Sequence, residues 1–179
     1  MSLAAKLYLA IVSAAGLTLL AAYLPAFSLE HPYRFATYLI LALIASCFKV
    51  AVPGIRGTMS VLFLFLLMGV VDLTLPQALV TAAAAGVLQS YWHARERPKA
   101  VHLIFNVAAL VIATASARCA YDISALVRLN IPFAARLILA TSVFFVVNTL
   151  AVSIIIGLTE RKSILDTWHR CYFWSFPYY

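Results

Sequence analysis

Few of the residues that could do chemistry stand where chemistry needs them. The four histidines, His31, His93, His102 and His169, are scattered, and no His-x-x-x-His pair brings two imidazoles to one helix face. His169 and Cys171 stand two apart with no third group at metal-ligand spacing. Cys47, Cys119 and Cys171 are odd in number and far apart, which yields neither a disulfide framework nor a zinc pattern. No Gly-rich loop to cradle phosphate and no Gly-x-Ser-x-Gly elbow occurs. The six carboxylates sit at loop edges or in the tail, not in facing pairs. The residues in hand therefore read as non-enzymatic, with no catalytic, cofactor-binding or metal site expected.

The polar residues that remain lie inside apolar runs. In lipid such a side chain is costly, so each requires a partner or a purpose. His102, Asn106, Ala109, Ala113, Ser116 and Ala117 recur at three- and four-residue steps and form one small, polar helix face. Ala82, Gly86, Gln89 and His93 do the same one run earlier, and Thr141 and Asn148 share a face in the last run. Gln89, His93, His102, Asn106, Thr141 and Asn148 are thus the candidate interior. They form either interhelical hydrogen bonds, worth about 0.6 kcal/mol each, or a polar cavity for a small ligand.

A second candidate is the stretch from Lys49 to Gly57. Pro53 donates no backbone hydrogen bond, Gly54 and Gly57 tolerate positive φ, and Lys49 and Arg56 bring two charges to the edge of an apolar slab. It reads as a short cytoplasmic hairpin that couples to a partner. Asp72 either caps the following helix or pairs with Arg118 or Arg128. Arg136 snorkels to the interface or binds an anion.

The elements that hold these residues are set by hydrophobicity. Of 179 residues, 65% are hydrophobic and 11% charged, and the mean hydropathy is +0.99. Soluble domains carry about 25% charged residues, so the chain is expected to be an integral membrane protein. The apolar runs are continuous and not alternating, which calls for helices rather than a barrel. The expected fold is all-α: a six-helix membrane bundle with an interfacial C-terminal segment. The spans are expected at about 5–27, 34–51, 58–72, 76–93, 100–121 and 133–158, all in one membrane domain. The first run is longer than the ~7–15-residue apolar region of a signal peptide and reads as a retained helix. Residues 159–179, rich in Trp and Tyr, read as an interfacial tail or the start of a further span.

The net charge of +7 is topological, because the cations cluster between apolar runs; nucleic acid is not an expected partner. With the N-terminus inside, Lys6, Lys49, Arg56, Arg95, Arg97, Lys99, Arg161, Lys162 and Arg170 lie inside. Arg34, Arg118, Arg128 and Arg136 then lie outside, and this excess favours N-in.

Three stretches carry a resemblance. They are Val52-Pro-Gly-Ile-Arg-Gly-Thr-Met-Ser-Val-Leu-Phe-Leu-Phe running to Asp72-Leu-Thr-Leu-Pro-Gln77, then His102-Leu-Ile-Phe-Asn106, then Trp168-His-Arg-Cys-Tyr-Phe-Trp-Ser-Phe-Pro-Tyr-Tyr179. Together they resemble the N-terminal multi-span sensor regions of bacterial signalling proteins with diguanylate cyclase or HD-type phosphohydrolase output domains. The resemblance implies a sensory module in the bacterial cytoplasmic membrane that feeds cyclic dinucleotide signalling. Its partners would be the bilayer and an output domain beyond residue 179 or a separate partner subunit. It supplies no catalytic residue. Two other readings stay open: a substrate-binding membrane subunit of a vitamin or metal uptake transporter, and a structural membrane scaffold.

Overall fold

Helix starts and stops follow local chemistry throughout the computed structural model, which describes residues 2–51, 58–92, 99–123, 128, 130–160 and 163–171. Helix α1 spans Leu3–Tyr23 and is capped by Ser2, whose hydroxyl accepts from the Ala5 N–H at 3.2 Å. It ends in one 3-10 turn around Pro25, where the missing N–H cannot continue the ladder. Helix α2, Pro32–Cys47, starts on a proline, which suits a first turn.

The chain then leaves the helix at Phe48 in an extended conformation. Strands β1, Lys49–Ala51, and β2, Thr58–Ser60, pair antiparallel, with Lys49 opposite Ser60 and Ala51 opposite Thr58. Helix α3 spans Leu62–Asp72 and α4 spans Leu75–Tyr91. The α4 start is fixed by Gln77, whose Oε1 accepts from the Thr74 N–H at 3.2 Å. Its Nε2 donates to the Ser28 carbonyl at 2.8 Å, so one buried amide ties α4 to the α1–α2 connection. Helix α5 spans Ala100–Tyr121 and α6 spans Phe133–Glu160. A short helix α7, Ile164–Cys171, follows.

Helix α5 is the centre. It packs against α6, α4, α1 and α3. Ala108, Ala109, Ala113 and Ala117 are buried along it, as Ala82 and Ala85 are on α4. Small residues let backbones approach, which is how helices associate where lipid offers no hydrophobic drive. The closest approach is at Gly16 of α1. A Cβ there would stand 2.5 Å from both Cα and Cβ of Ala108. At Gly86 of α4 a Cβ would stand 3.1 Å from Leu110 Cδ1 and 3.4 Å from Val107 Cα. Larger side chains, Leu62, Leu66, Val70 and Phe144, fill the space between these contacts. Helix α1 runs antiparallel to α6: the Ser2 hydroxyl donates to the Leu158 carbonyl and the Tyr8 hydroxyl to the Ala151 carbonyl, each at 3.2 Å.

The fold is helical, as expected, but the expected six spans are not all of spanning length. Among the described residues, three helices are long and apolar enough to cross a membrane: α1 with its terminal turn, α5 and α6. Helices α2, α3 and α4 have 16, 11 and 17 residues. At 1.5 Å per residue they are about 24, 16 and 26 Å long, against a hydrocarbon core of about 30 Å. The shortfall in α2 and α3 has a local cause: residues 49–51 and 58–60, expected at the ends of the second and third spans, are spent on the strand pair.

Gly16→Ala is expected to destabilise the protein by about 1–3 kcal/mol, because the α1–α5 backbones must separate to admit the methyl group. Gly69→Ala is the control, since its Cβ meets only the Leu73 side chain, at 3.4 Å. Reversible unfolding in mixed micelles should show a loss for Gly16→Ala and none for Gly69→Ala.

Candidate functional site

Among the described residues, a polar network joins α3, α5 and α6 at one end of the bundle, with a bond from α2 to α3 beside it. Its centre is Arg118, in the last turn of α5. One guanidinium nitrogen, Nη1, donates to the carbonyls of Val70 and Leu73, both at 2.8 Å. These lie at the buried C-terminal end of α3 and its cap, where backbone acceptors have no partner within the helix. The positive charge also meets the negative end of the α3 dipole. The Nε of Arg118 donates to Asp122 Oδ2. Asp122 in turn faces Arg136 of α6, with Nη2 and Oδ1 3.8 Å apart. Arg136 Nε donates to the Tyr121 carbonyl at 3.0 Å, and its guanidinium lies 4.2 Å above the Tyr121 ring. Beside them, the Tyr38 hydroxyl of α2 donates to Asp72 Oδ2 at the end of α3.

The magnitudes separate the parts of this network. The side chains of Arg118 and Arg136 are 24% and 20% exposed, and Asp122 is 46% exposed. An ion pair that open contributes about 0.2–1 kcal/mol. Charged hydrogen bonds to helix-end carbonyls contribute about 1.5–3 kcal/mol. The capping of α3 by Arg118 therefore outweighs the Arg118–Asp122 pair.

The expected partners of Asp72 were the α4 cap, Arg118 or Arg128. It instead accepts from Tyr38, and among the described residues no ion pair to it occurs. Arg118 and Asp122 stand four apart on α5, the spacing that signals an intrahelical pair, but nothing in the sequence links Arg118 to Val70 and Leu73. Arg136 lies in the first turn of α6 and is held by Tyr121 and Asp122.

The polar residues read from helix faces are dispersed. Ala109, Ala113 and Ala117 are buried, but His102 and Asn106 on the same face are exposed. Asn106 Nδ2 donates across to Ser90 Oγ of α4 at 3.4 Å. Gln89, Thr141 and Asn148 are half-buried, and among the described residues no hydrogen bond joins any two of Gln89, His102, Asn106, Thr141 and Asn148. His93, Pro53, Gly54, Arg56 and Gly57 lie outside the described residues; Lys49 begins β1. No group of three or more His, Cys, Asp or Glu side chains able to hold a metal occurs among the described residues.

A second constellation lies at the other end of α6. Helix α7 folds back onto α6. The Trp168 indole N–H donates to Thr149 Oγ1 at 2.9 Å, and the Thr149 hydroxyl donates to the Phe145 carbonyl at 2.6 Å. The Trp168 and Phe145 rings are 6.3 Å apart and tilted. Thr167 is buried, and its hydroxyl donates to the Ser163 carbonyl at 2.9 Å, closing the first turn. Leu165, Asp166 and His169 face outward. The aromatic composition reads as an interfacial tail or the start of a further span; the seat of α7 on α6 is not visible in it.

Arg118→Gln is expected to cost about 1.5–3 kcal/mol and Asp122→Asn less than about 1 kcal/mol. Arg118→Lys should recover little, because an ammonium lacks the planar fork that serves two carbonyls and a carboxylate at once. Unfolding midpoints of the three variants in one detergent check the order.

In comparison with known families, the family model MASE9 matches residues 17–177. Comparison with curated proteins and with solved structures gives no significant match.

Proposed function

This chain belongs to the MASE9 family, and MASE domains are membrane-associated sensory domains; on that footing we propose that it is the membrane-embedded input module of a longer signalling protein. In this reading α1 to α6 make six passes of the bacterial cytoplasmic membrane, with both ends of the bundle inside. Flanking chain and local thinning of the bilayer make up for the shortness of α2, α3 and α4. The module itself performs no reaction. Its output is carried by a cytoplasmic domain beyond residue 179, or by a partner subunit, that makes or breaks cyclic dinucleotides.

One observation carries the proposed mechanism. Helix α7, the last described element before such a domain, is seated on α6 through Trp168 and Thr149. Helix α6 is in turn packed on α5. A lipid, ligand or membrane state that favours one packing of α4, α5 and α6 over another would therefore move α7. Such a signal acts only through its differential affinity for the two packings. Gln89, His102, Asn106, Thr141 and Asn148 are the polar groups through which these helices would register it. The hairpin from Lys49 to Gly57 is the second cytoplasmic contact for the moving segment.

The test is cyclic dinucleotide turnover by the full-length protein in membranes. Trp168→Ala and Arg56→Ala should change turnover at unchanged protein level; unchanged turnover in both would overturn the reading. For topology, cysteines placed at 95–99 in intact cells should resist a membrane-impermeant thiol reagent. Labelling from outside would invert the assignment.

A further inference from the structure

The face of α6 that receives Trp168 offers a second acceptor one turn along. Phe145, Thr149, Ser153 and Gly157 follow at four-residue steps, and all four are buried. Trp168 touches the first two, by its ring and by its N–H. Ser153 is fully buried, and its hydroxyl has no hydrogen-bond partner among the described residues. Buried hydroxyls are rarely left so. A serine in a helix commonly donates to the carbonyl four residues back, as Thr149 does to Phe145 here, but Ser153 does not.

We propose that α7 is a two-position latch on α6, with the Trp168 indole N–H bound to Thr149 in one position and to Ser153 in the other. The two acceptors are one helical turn apart, about 5–6 Å. Moving between them slides α7 toward the C-terminal end of α6. Only residues 161–163 separate the two helices, and a chain of that length reaches about 10 Å when extended, enough for the slide. Gly157 carries no side chain to obstruct the segment as it passes. One-turn shifts of this kind are a known way for packed elements to be bistable, because each position satisfies its contacts and the space between does not. The latch rests on the sensory reading for its purpose but not for its existence: it names the step by which a change in α6 packing becomes a displacement of the chain after residue 171.

The experiment measures the slide directly in the full chain. Spin labels at Leu165 and Ile138, both exposed, report the distance along α6 in a background with Cys47, Cys119 and Cys171 replaced. Thr149→Val should lengthen the main distance by about 5 Å, one turn. Thr149→Val with Ser153→Ala should lose that longer distance. Trp168→Phe, which keeps the ring and removes the donor, should give a distance that neither substitution changes. An unaltered distance in Thr149→Val would overturn the latch, as would a lengthening that survives Ser153→Ala or a broad distribution signifying simple detachment. Turnover of the full-length protein in the same variants tests the sensory reading separately: altered turnover without a 5 Å step sinks the latch alone.

Discussion

Close approach of helix backbones at α5 is the constraint on which the rest of the structure depends. A Cβ at Gly16 would sit 2.5 Å from Ala108, and Ala109, Ala113 and Ala117 are buried along the same helix. In a soluble protein large apolar side chains would supply the drive for such packing. In lipid they supply little, because hydrocarbon solvates them as well as a neighbour does. What remains is dispersion over well-matched backbones, and this demands small residues at the seams. Large residues such as Leu3, Leu7 and Ile11 of α1 are exposed and stand on the face left for the bilayer.

With the seams filled by alanine and glycine, polar groups do the specifying. Arg118 fixes where α3 ends by occupying its last carbonyls, and through Asp122 and Arg136 it relates that end to the start of α6. Gln77 does the same for the start of α4, with one amide serving its own helix and the Ser28 carbonyl. At both places a side chain serves a backbone group left unpaired at a helix end: the Val70 carbonyl at the end of α3 and the Thr74 N–H at the start of α4.

Helix α6 links the two ends of the molecule. Its start is held by Tyr121 and Asp122 of α5, and its latter half carries the seat of α7. Among the described helices, α6 is the longest. On it the Trp168 indole N–H donates to the Thr149 hydroxyl and the Trp168 ring lies against Phe145.

Composition and continuous apolar runs were enough to read a helical membrane protein, and Pro25, Pro32 and Thr74 announced helix boundaries within a few residues. The small-residue face of α5 was equally legible, since it depends on spacing along one helix. What spacing cannot carry is which face meets which neighbour. Asn106 and His102 share a helix face with buried alanines yet lie exposed. Arg118 reads from the sequence as an outer-side cation and a candidate partner of Asp72; its contact with the Val70 and Leu73 carbonyls belongs to the packing. The seat of the Trp168 N–H on Thr149 is likewise absent from the aromatic composition of the tail. In each case the deciding partner is far away in the chain, and a hydrogen bond of fixed length is a property of the packed helices, not of either segment alone.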